Sequence, residues 1–396
     1  MQFFRSLLMV FVLSTITACG SMQGGTLPVG GRTSQGTPQA LPGGTPQALP
    51  GGTPQALPGA SLGCDLTFEA DQANCTIAIN INIPPVSDAS TPANLLSGLH
   101  PADLQNRYRL PVGRSGGTVA IVDAYDSPVA EKDLAVYRAA FGLPACSSSN
   151  GCFRKVNQLG QTTSYPGANS GWDQEIALDL DMVSAACPNC KIVLVEAKSS
   201  SFDDLGAAVD KAASLGAVAI SNSYYGPEWS GETAYDKHYH HSGIAITVSS
   251  GDQQSSFYPA ASPYVTTIGG TSLNGASGTW KETAWQNGGE GCSLYEAKPS
   301  FQSSTNTGCK TRAAADIAAV ADPQTGVTMY DSTAGGWLVA GGTSVGAPIV
   351  AAAYALSGNP QGPAYSYSHR SDFYDLPPTS YDLPTGLGSP NGITGL

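Results

Sequence analysis

Four short apolar runs constrain this chain more than anything else in it. They are residues 118–122 (Thr-Val-Ala-Ile-Val), 191–195 (Lys-Ile-Val-Leu-Val), 218–223 (Val-Ala-Ile-Ser-Asn-Ser) and 244–248 (Ile-Ala-Ile-Thr-Val). Each is continuous rather than alternating, so each strand is covered on both faces. Between them lie stretches with helical spacing at 129–141, 202–215 and 232–241. Buried strands alternating with helices predict a parallel, doubly wound α/β sheet. In such sheets, reactive groups gather beyond the carboxyl ends of the strands.

The 396 residues, 41% of them hydrophobic, suffice for a large core. Only 12% are charged and 47 are glycine, so the chain is compact and rich in loops. A net charge of −12 with few basic residues excludes a nucleic-acid binder.

The folded part is expected at 98–396, as a single catalytic domain. Ahead of it, 1–18 reads as an export signal, with Arg5 at its start and an apolar run over 7–16. That run is too short for a permanent membrane span. Ile16-Thr17-Ala18-Cys19 resembles a bacterial lipoprotein signal, which implies cleavage before Cys19 and lipid on its sulfur; the alternative is an ordinary signal cut nearby. Gly20 gives no inner-membrane retention mark, so the expected location is an outer membrane or cell surface, or the medium if the lipid is absent. Residues 19–63 read as a tether, in which Thr-Pro-Gln-Ala-Leu-Pro-Gly-Gly starts at Thr37, Thr45 and Thr53. Such a composition cannot bury a core. Residues 64–97 form a short transitional segment, where 76–83 alternates like an edge strand.

Nine cysteines fit an exported chain. Without Cys19 they fall into close pairs, Cys64 with Cys75, Cys146 with Cys152, Cys187 with Cys190, and Cys292 with Cys309. Disulfides are the expectation, and short-range pairing is the simplest connectivity. Cys187-Pro188-Asn189-Cys190 also has redox and zinc spacing, but it follows a helix and has neither a second such pair nor a neighbouring histidine.

Three motifs carry chemistry. Gly341-Gly342-Thr343-Ser344 precedes a small, apolar run and reads as a tight turn into a buried helix. Taken alone, the Thr-Ser pair is a helix cap; it also places a hydroxyl where unpaired N–H groups favour negative charge. Residues 172–185 have helical period, with Glu175 and Asp179 four apart and on one face. Two acids brought together raise one another's pKa and supply a general base or acid; on a surface they would be only a solvated stripe. Neighbouring leucines 178 and 180 point to partial burial. Ser249-Ser250-Gly251-Asp252 closes the fourth strand, as a turn or as a site acid.

These pieces together resemble the sedolisin family of serine-carboxyl peptidases, which have a subtilisin-like fold. The matching stretches are Leu99-His100-Pro101-Ala102-Asp103-Leu104, the helix from Glu175 through Asp179, Ser250-Gly251-Asp252, Tyr258-Pro259-Ala260-Ala261-Ser262-Pro263, Gly341-Gly342-Thr343-Ser344, and Tyr381-Asp382-Leu383-Pro384-Thr385-Gly386. They occur in the family's order across 99–396. The resemblance implies Ser344 as nucleophile, Glu175 as general base, Asp179 as its orienting partner and a protonated Asp252 as oxyanion donor. It implies an endopeptidase acting on proteins or peptides at acidic pH, working as a monomer, with membrane contact only through lipid on Cys19.

The resemblance also implies a structural calcium ion held by Asp375, the Leu376 carbonyl and Asp382, with Pro378 and Ser380 standing where the family has glycines. Asp123 and Tyr224 stand where the family often has Glu and Trp, as an outer part of the carboxylate network. The large pro-domain usual in the family has no counterpart among the roughly 35 residues before the catalytic part. Two other readings stand beside this one. A Ser-His-Asp subtilisin-type peptidase would use Asp123, but none of His100, His238, His240, His241 and His369 lies in a suitable helix start. An inactive, tethered surface-binding protein on the same fold must account for all four site residues being in place.

Overall fold

The computed structural model describes residues 57–64, 71–376 and 381–396, within a unit running from Gly51 to Leu396. The expected signal, Cys19 and the tether as far as residue 56 lie outside the described residues.

The chain opens with three short strands, β1 (Ala60–Leu62), β2 (Asn74–Cys75) and β3 (Ala78–Asn80). The body follows as α1 (Pro101–Arg107), β4 (Thr118–Ala124), α2 (Ala130–Ala140), β5 (Phe153–Asn157), α3 (Ser170–Ala186), β6 (Lys191–Ala197), α4 (Phe202–Ser214), β7 (Ala219–Asn222), β8 (Tyr224–Pro227), β9 (Ala245–Ser249) and β10 (Phe257–Tyr258). The last third holds β11 (Thr266–Asn274), β12 (Lys281–Ala284), β13 (Gly291–Ala297), β14 (Thr311–Ala314), β15 (Ile317–Val320), β16 (Val327–Asp331), β17 (Gly336–Gly341) and α5 (Gly346–Ser357).

The main sheet runs β12-β11-β9-β7-β4-β6-β5, with β15 also paired to β11. All of its pairings are parallel except β11 with β12, where an antiparallel strand closes the edge. β4 sits at the centre, with Val119 opposite Ile192 on one side and Ala219 on the other. The four apolar runs are β4, β6, β7 and β9, buried as their composition requires. α3 packs on β4, α2 and α5, while α5 packs on β7, β9, β11 and β15. α4 covers β4 and β6. The doubly wound expectation therefore holds, as a mixed sheet.

α5 is buried along its length except at Ser357. Its run of alanines lets it lie close to the sheet, and Gly358, at φ 74°, ends it in the left-handed conformation that glycine adopts without strain. α3 starts where the Asn169 carboxamide oxygen accepts from the Gly171 and Trp172 N–H groups at 3.0 and 3.2 Å. Asp173, Glu175, Asp179 and Asp181 on this helix are all buried. The acidic face is thus enclosed, beyond the partial burial its sequence suggested.

Two expected elements differ. The helix expected over 232–241 is a pair of 3₁₀ turns, Glu232–Ala234 and Asp236–Tyr239. Docking on α4 overrides local propensity here: Trp229 stacks on Phe202 with ring centroids 5.1 Å apart, and His238 Nδ1 lies 2.7 Å from Asp210. The single strand expected over 76–83 is broken. β2 joins β8 and β10, whereas β3 lies between β1 and β17, so Thr76 and Ile77 bridge two different sheets.

All four close cysteine pairs are disulfides: Cys64–Cys75, Cys146–Cys152, Cys187–Cys190 and Cys292–Cys309. The bond at Cys187–Cys190 removes the zinc reading of that pair.

Candidate active site

The site lies beyond the carboxyl ends of β4, β7 and β9, where an open α/β sheet leaves its crevice. β17 ends at Gly341, and a 3₁₀ turn over Thr343–Val345 leads into α5. Gly342 makes that corner at φ 96°. A β-carbon there would fall 1.8 Å from the Thr76 carbonyl oxygen and 2.8 Å from Asp252 Oδ2. Glycine is required both by the left-handed backbone and by the approach of those two oxygens. Ser344 follows, with no exposed surface.

Asp252, on the loop after β9, is fastened to this turn. Its Oδ1 accepts from the Thr343 N–H at 2.8 Å and from Thr343 Oγ1 at 3.0 Å. Thr343 Oγ1 in turn accepts from the Gly251 N–H at 3.1 Å. Burial pushes the Asp252 carboxyl up to about 7, against the lowering effect of the Thr343 bonds. Its other oxygen has no hydrogen-bond partner among the described residues and, like the Thr76 carbonyl, borders the Gly342 corner.

The second arm comes from α3. Helical spacing brings Glu175 and Asp179 to one face, and both are fully buried. Glu175 Oε2 accepts from the Thr76 N–H at 2.9 Å. Burial raises the Glu175 pKa well above the usual range and the charge of Asp123 adds to it; hydrogen bonding from Ser344 and from the Thr76 backbone works the other way. Asp179 is also raised, by burial first and then by Asp123 and Glu175. Its Oδ1 accepts from Ser223 Oγ at 2.8 Å.

Asp123, near the end of β4, is buried and raised by burial, with neither oxygen bonded among the described residues. A buried carboxylate without donors is costly, so burial holds the Asp123 proton to higher pH than usual. Asp123 acts on Glu175 and Asp179 through its charge, which raises both. Tyr224 does not join them by hydrogen bond: its hydroxyl donates to Asn222 Oδ1 at 2.8 Å.

The subtilase model matches residues 160–370, a stretch that holds Glu175, Asp179, Asp252 and Ser344. The chain belongs to the subtilase family. Within it the likeness is to the sedolisins. Kumamolisin of Bacillus sp. (strain MN-32) is 30% identical over 355 residues, covering 74% of this chain and 62% of that protein. Xanthomonalisin of Xanthomonas sp. (strain T-22) is 34% identical over 152 residues, covering 34% of this chain and 18% of its own length. The chain thus spans less than two thirds of either curated relative. Among solved structures, Pseudomonas sedolisin, a serine-carboxyl proteinase complexed with two molecules of pseudo-iodotyrostatin, matches with TM-score 0.65 and 25% identity, over 75% of this chain and 96% of that one.

No histidine of this subtilase serves Ser344. His238 and His241 bond Asp210 at 2.7 and 3.1 Å. His240 stacks on Tyr264, His369 stacks on Tyr365, and His100 caps α1 beside Phe141. The Ser-His-Asp reading loses its base.

The calcium ligands expected at Asp375, Leu376 and Asp382 are less well made. Asp375 lies near enough for its charge to raise Asp382, after the larger effect of burial. Asp382 Oδ1 is taken up by the Thr385 N–H and hydroxyl at 2.9 and 2.7 Å. Among the described residues no group of three or more acidic, histidine or cysteine side chains could hold a metal ion. Calcium takes about six to eight oxygens, and two acids with one carbonyl fall short. Pro378 and Ser380 lie outside the described residues.

Two residues at the site escaped the sequence reading. Ser223 closed the third apolar run without any mark of contact with Asp179. Thr76 lay in an alternating stretch whose only sequence signal was its edge-strand pattern.

Proposed function

We propose that this subtilase is an exported serine-carboxyl endopeptidase, hydrolysing peptide bonds in proteins at acidic pH. Ser344 Oγ attacks the carbonyl carbon, Glu175 takes the hydroxyl proton and later gives it to the leaving amine, and water then frees the acyl-enzyme by the same route. Asp179 orients Glu175 and shares its proton. Protonated Asp252 donates from Oδ2 to the developing oxyanion. What carries the reading is the convergence of two carboxyl groups from different elements on Ser344, with no histidine near it. The raised pKa of Asp252 supports acid-shifted activity, because the donor is lost once the pH passes about 7.

The sequence further supports lipid on Cys19, location at an outer membrane or cell surface, and action as a monomer on protein or peptide substrates. The resemblance also supports a structural calcium ion at Asp375, Leu376 and Asp382, which would need further oxygens besides these three. A purified Ser344→Ala variant that folds normally and digests nothing at acidic pH is the expected result. Undiminished acid proteolysis by that variant would leave the inactive, surface-binding alternative or another enzyme as the explanation.

A further inference from the structure

One wall of the crevice is a three-stranded sheet, in which β8 lies between β10 and β2. β7 ends at Asn222 and leads through Ser223 directly into β8. The antiparallel pairing of β8 with β2 sets Asn74 opposite Tyr225 and Cys75 opposite Tyr224. It shows a sheet edge of the kind that takes up an extended peptide as an added strand. Side chains alternate along such a strand, so Tyr224 and Tyr225 point to opposite faces. Tyr224 packs toward Trp172, with ring centroids 6.3 Å apart. Tyr225 packs toward the loop that carries Asp252.

Tyr225 and Phe257 fill the space beside that loop. Their rings meet edge to face with centroids 4.5 Å apart, and both residues are buried. Gly251 lies against the pair: a β-carbon there would come 2.7 Å from Phe257 Cδ2 and 3.1 Å from Tyr225 Cδ2. Asp252 is the next residue. Burial raises the Tyr225 hydroxyl and the Asp252 charge adds to it, while a hydrogen bond with Gln253 works the other way. Ser249, at the end of β9, is buried on the same side of the crevice. Thr76 gauges the room that remains. Its hydroxyl contacts Ser344 Oγ and lies 3.2 Å from Ser249 Oγ, so one short side chain reaches from the nucleophile to the wall.

We infer that Tyr225 and Phe257 set the specificity of this peptidase, admitting only a small side chain, such as that of alanine or serine, on the residue whose carbonyl Ser344 attacks. The inference rests on the peptidase reading above, with the substrate chain lying along β8 in place of β2. The attacked carbonyl must sit within reach of both Ser344 Oγ and Asp252 Oδ2. The β-carbon of the same residue is only two bonds from that carbonyl carbon. A side chain directed from there toward the Asp252 loop meets the space that the two rings already occupy. Leucine, phenylalanine or arginine would have to displace a ring from close packing, which costs more than the added contact returns. Removing the Tyr225 ring would leave the Phe257 face as an apolar floor, suited to the large apolar residues that the unaltered wall rejects.

The test measures kcat/KM of the full chain at about pH 4, where Asp252 is protonated, on peptides that differ only in the residue before the cut bond. Alanine, serine, leucine, phenylalanine and arginine are compared there, and product masses fix the bond cut. The alanine peptide is expected to exceed the phenylalanine peptide by about tenfold or more. Tyr225→Ala should reverse that order, whereas Tyr225→Phe, which keeps the ring, should retain it. Phe257→Ala opens the same space from its other wall and should move the order in the same direction, even where Tyr225→Ala does not fold. Phenylalanine or leucine cleaved as well as alanine by the unaltered chain would overturn the inference and leave the peptidase reading standing. An order unmoved by opening either wall would do the same. No hydrolysis of any peptide or of a denatured protein by the unaltered chain, at any pH, would overturn both.

Discussion

Thr343 holds Asp252 by two bonds, its N–H at 2.8 Å and its hydroxyl at 3.0 Å from the same carboxylate oxygen. That pairing leaves Asp252 Oδ2 with a fixed direction and no partner among the described residues. The residue immediately before the nucleophile thus aims the acid, so the two halves of the site cannot drift apart. Replacing Thr343 by Val removes one bond that lowers the Asp252 pKa. The alkaline limb of the pH–rate profile is expected to move to higher pH, with lower kcat. An unmoved limb would show that Asp252 does not set it.

Asp252→Ala removes the proposed oxyanion donor. A fall in kcat of about a hundred- to a thousand-fold is expected, as for the loss of one such donor elsewhere, with KM changed far less. A change confined to KM, read from initial rates on a peptide, would assign Asp252 to binding.

Asp123→Asn tests this action through charge. The Asp123 charge raises both Glu175 and Asp179, so its removal lowers them and the acid limb should shift to lower pH. The same substitution without any shift would detach Asp123 from the catalytic carboxyls.

Stability should favour acid. Asp123, Glu175, Asp179 and Asp252 have folded-state pKa values raised by burial, with Asp252 at about 7. A group raised in the folded state contributes its full stability below its unfolded value, about 4, and loses it as the pH climbs through the folded value. Glu296, raised to about 7, and Glu196, raised to about 8, act in the same direction. Melting curves of Ser344→Ala, which cannot digest itself, should show Tm falling between about pH 4 and pH 8. A Tm that climbs over that range would contradict these shifts.

Chelation bears on the calcium proposal. If Asp375, Leu376 and Asp382 hold an ion, chelator should lower Tm and added calcium restore it. An unchanged melting transition would remove the site.

Much of this was legible in the chain. The four central strands announce themselves because burial on both faces leaves adjacent apolar residues, as over Ile192 to Val195, where a half-exposed strand would alternate. Glu175 and Asp179 are legible because helical geometry fixes residues four apart on one face. Ser344 and Asp252 follow from turns at strand ends. What could not be read depends on long-range packing. Thr76 lies 268 positions from Ser344, and nothing local in an alternating strand says which edge it will join. Ser223 meets Asp179 only because β7 turns beside α3. The 232–241 segment had helical spacing, but Trp229 and His238 find better partners on α4 than a continuous helix would allow.

The most direct measurement is the pH–rate profile of the purified protein on a denatured protein substrate, taken with Glu175→Gln alongside. The account predicts a maximum in the acidic range, a decline through about pH 7 as Asp252 ionises, and a loss of about a hundred-fold or more in the variant. A maximum near about pH 8, the range of a neutral histidine base, with Glu175→Gln retaining full activity, would contradict it.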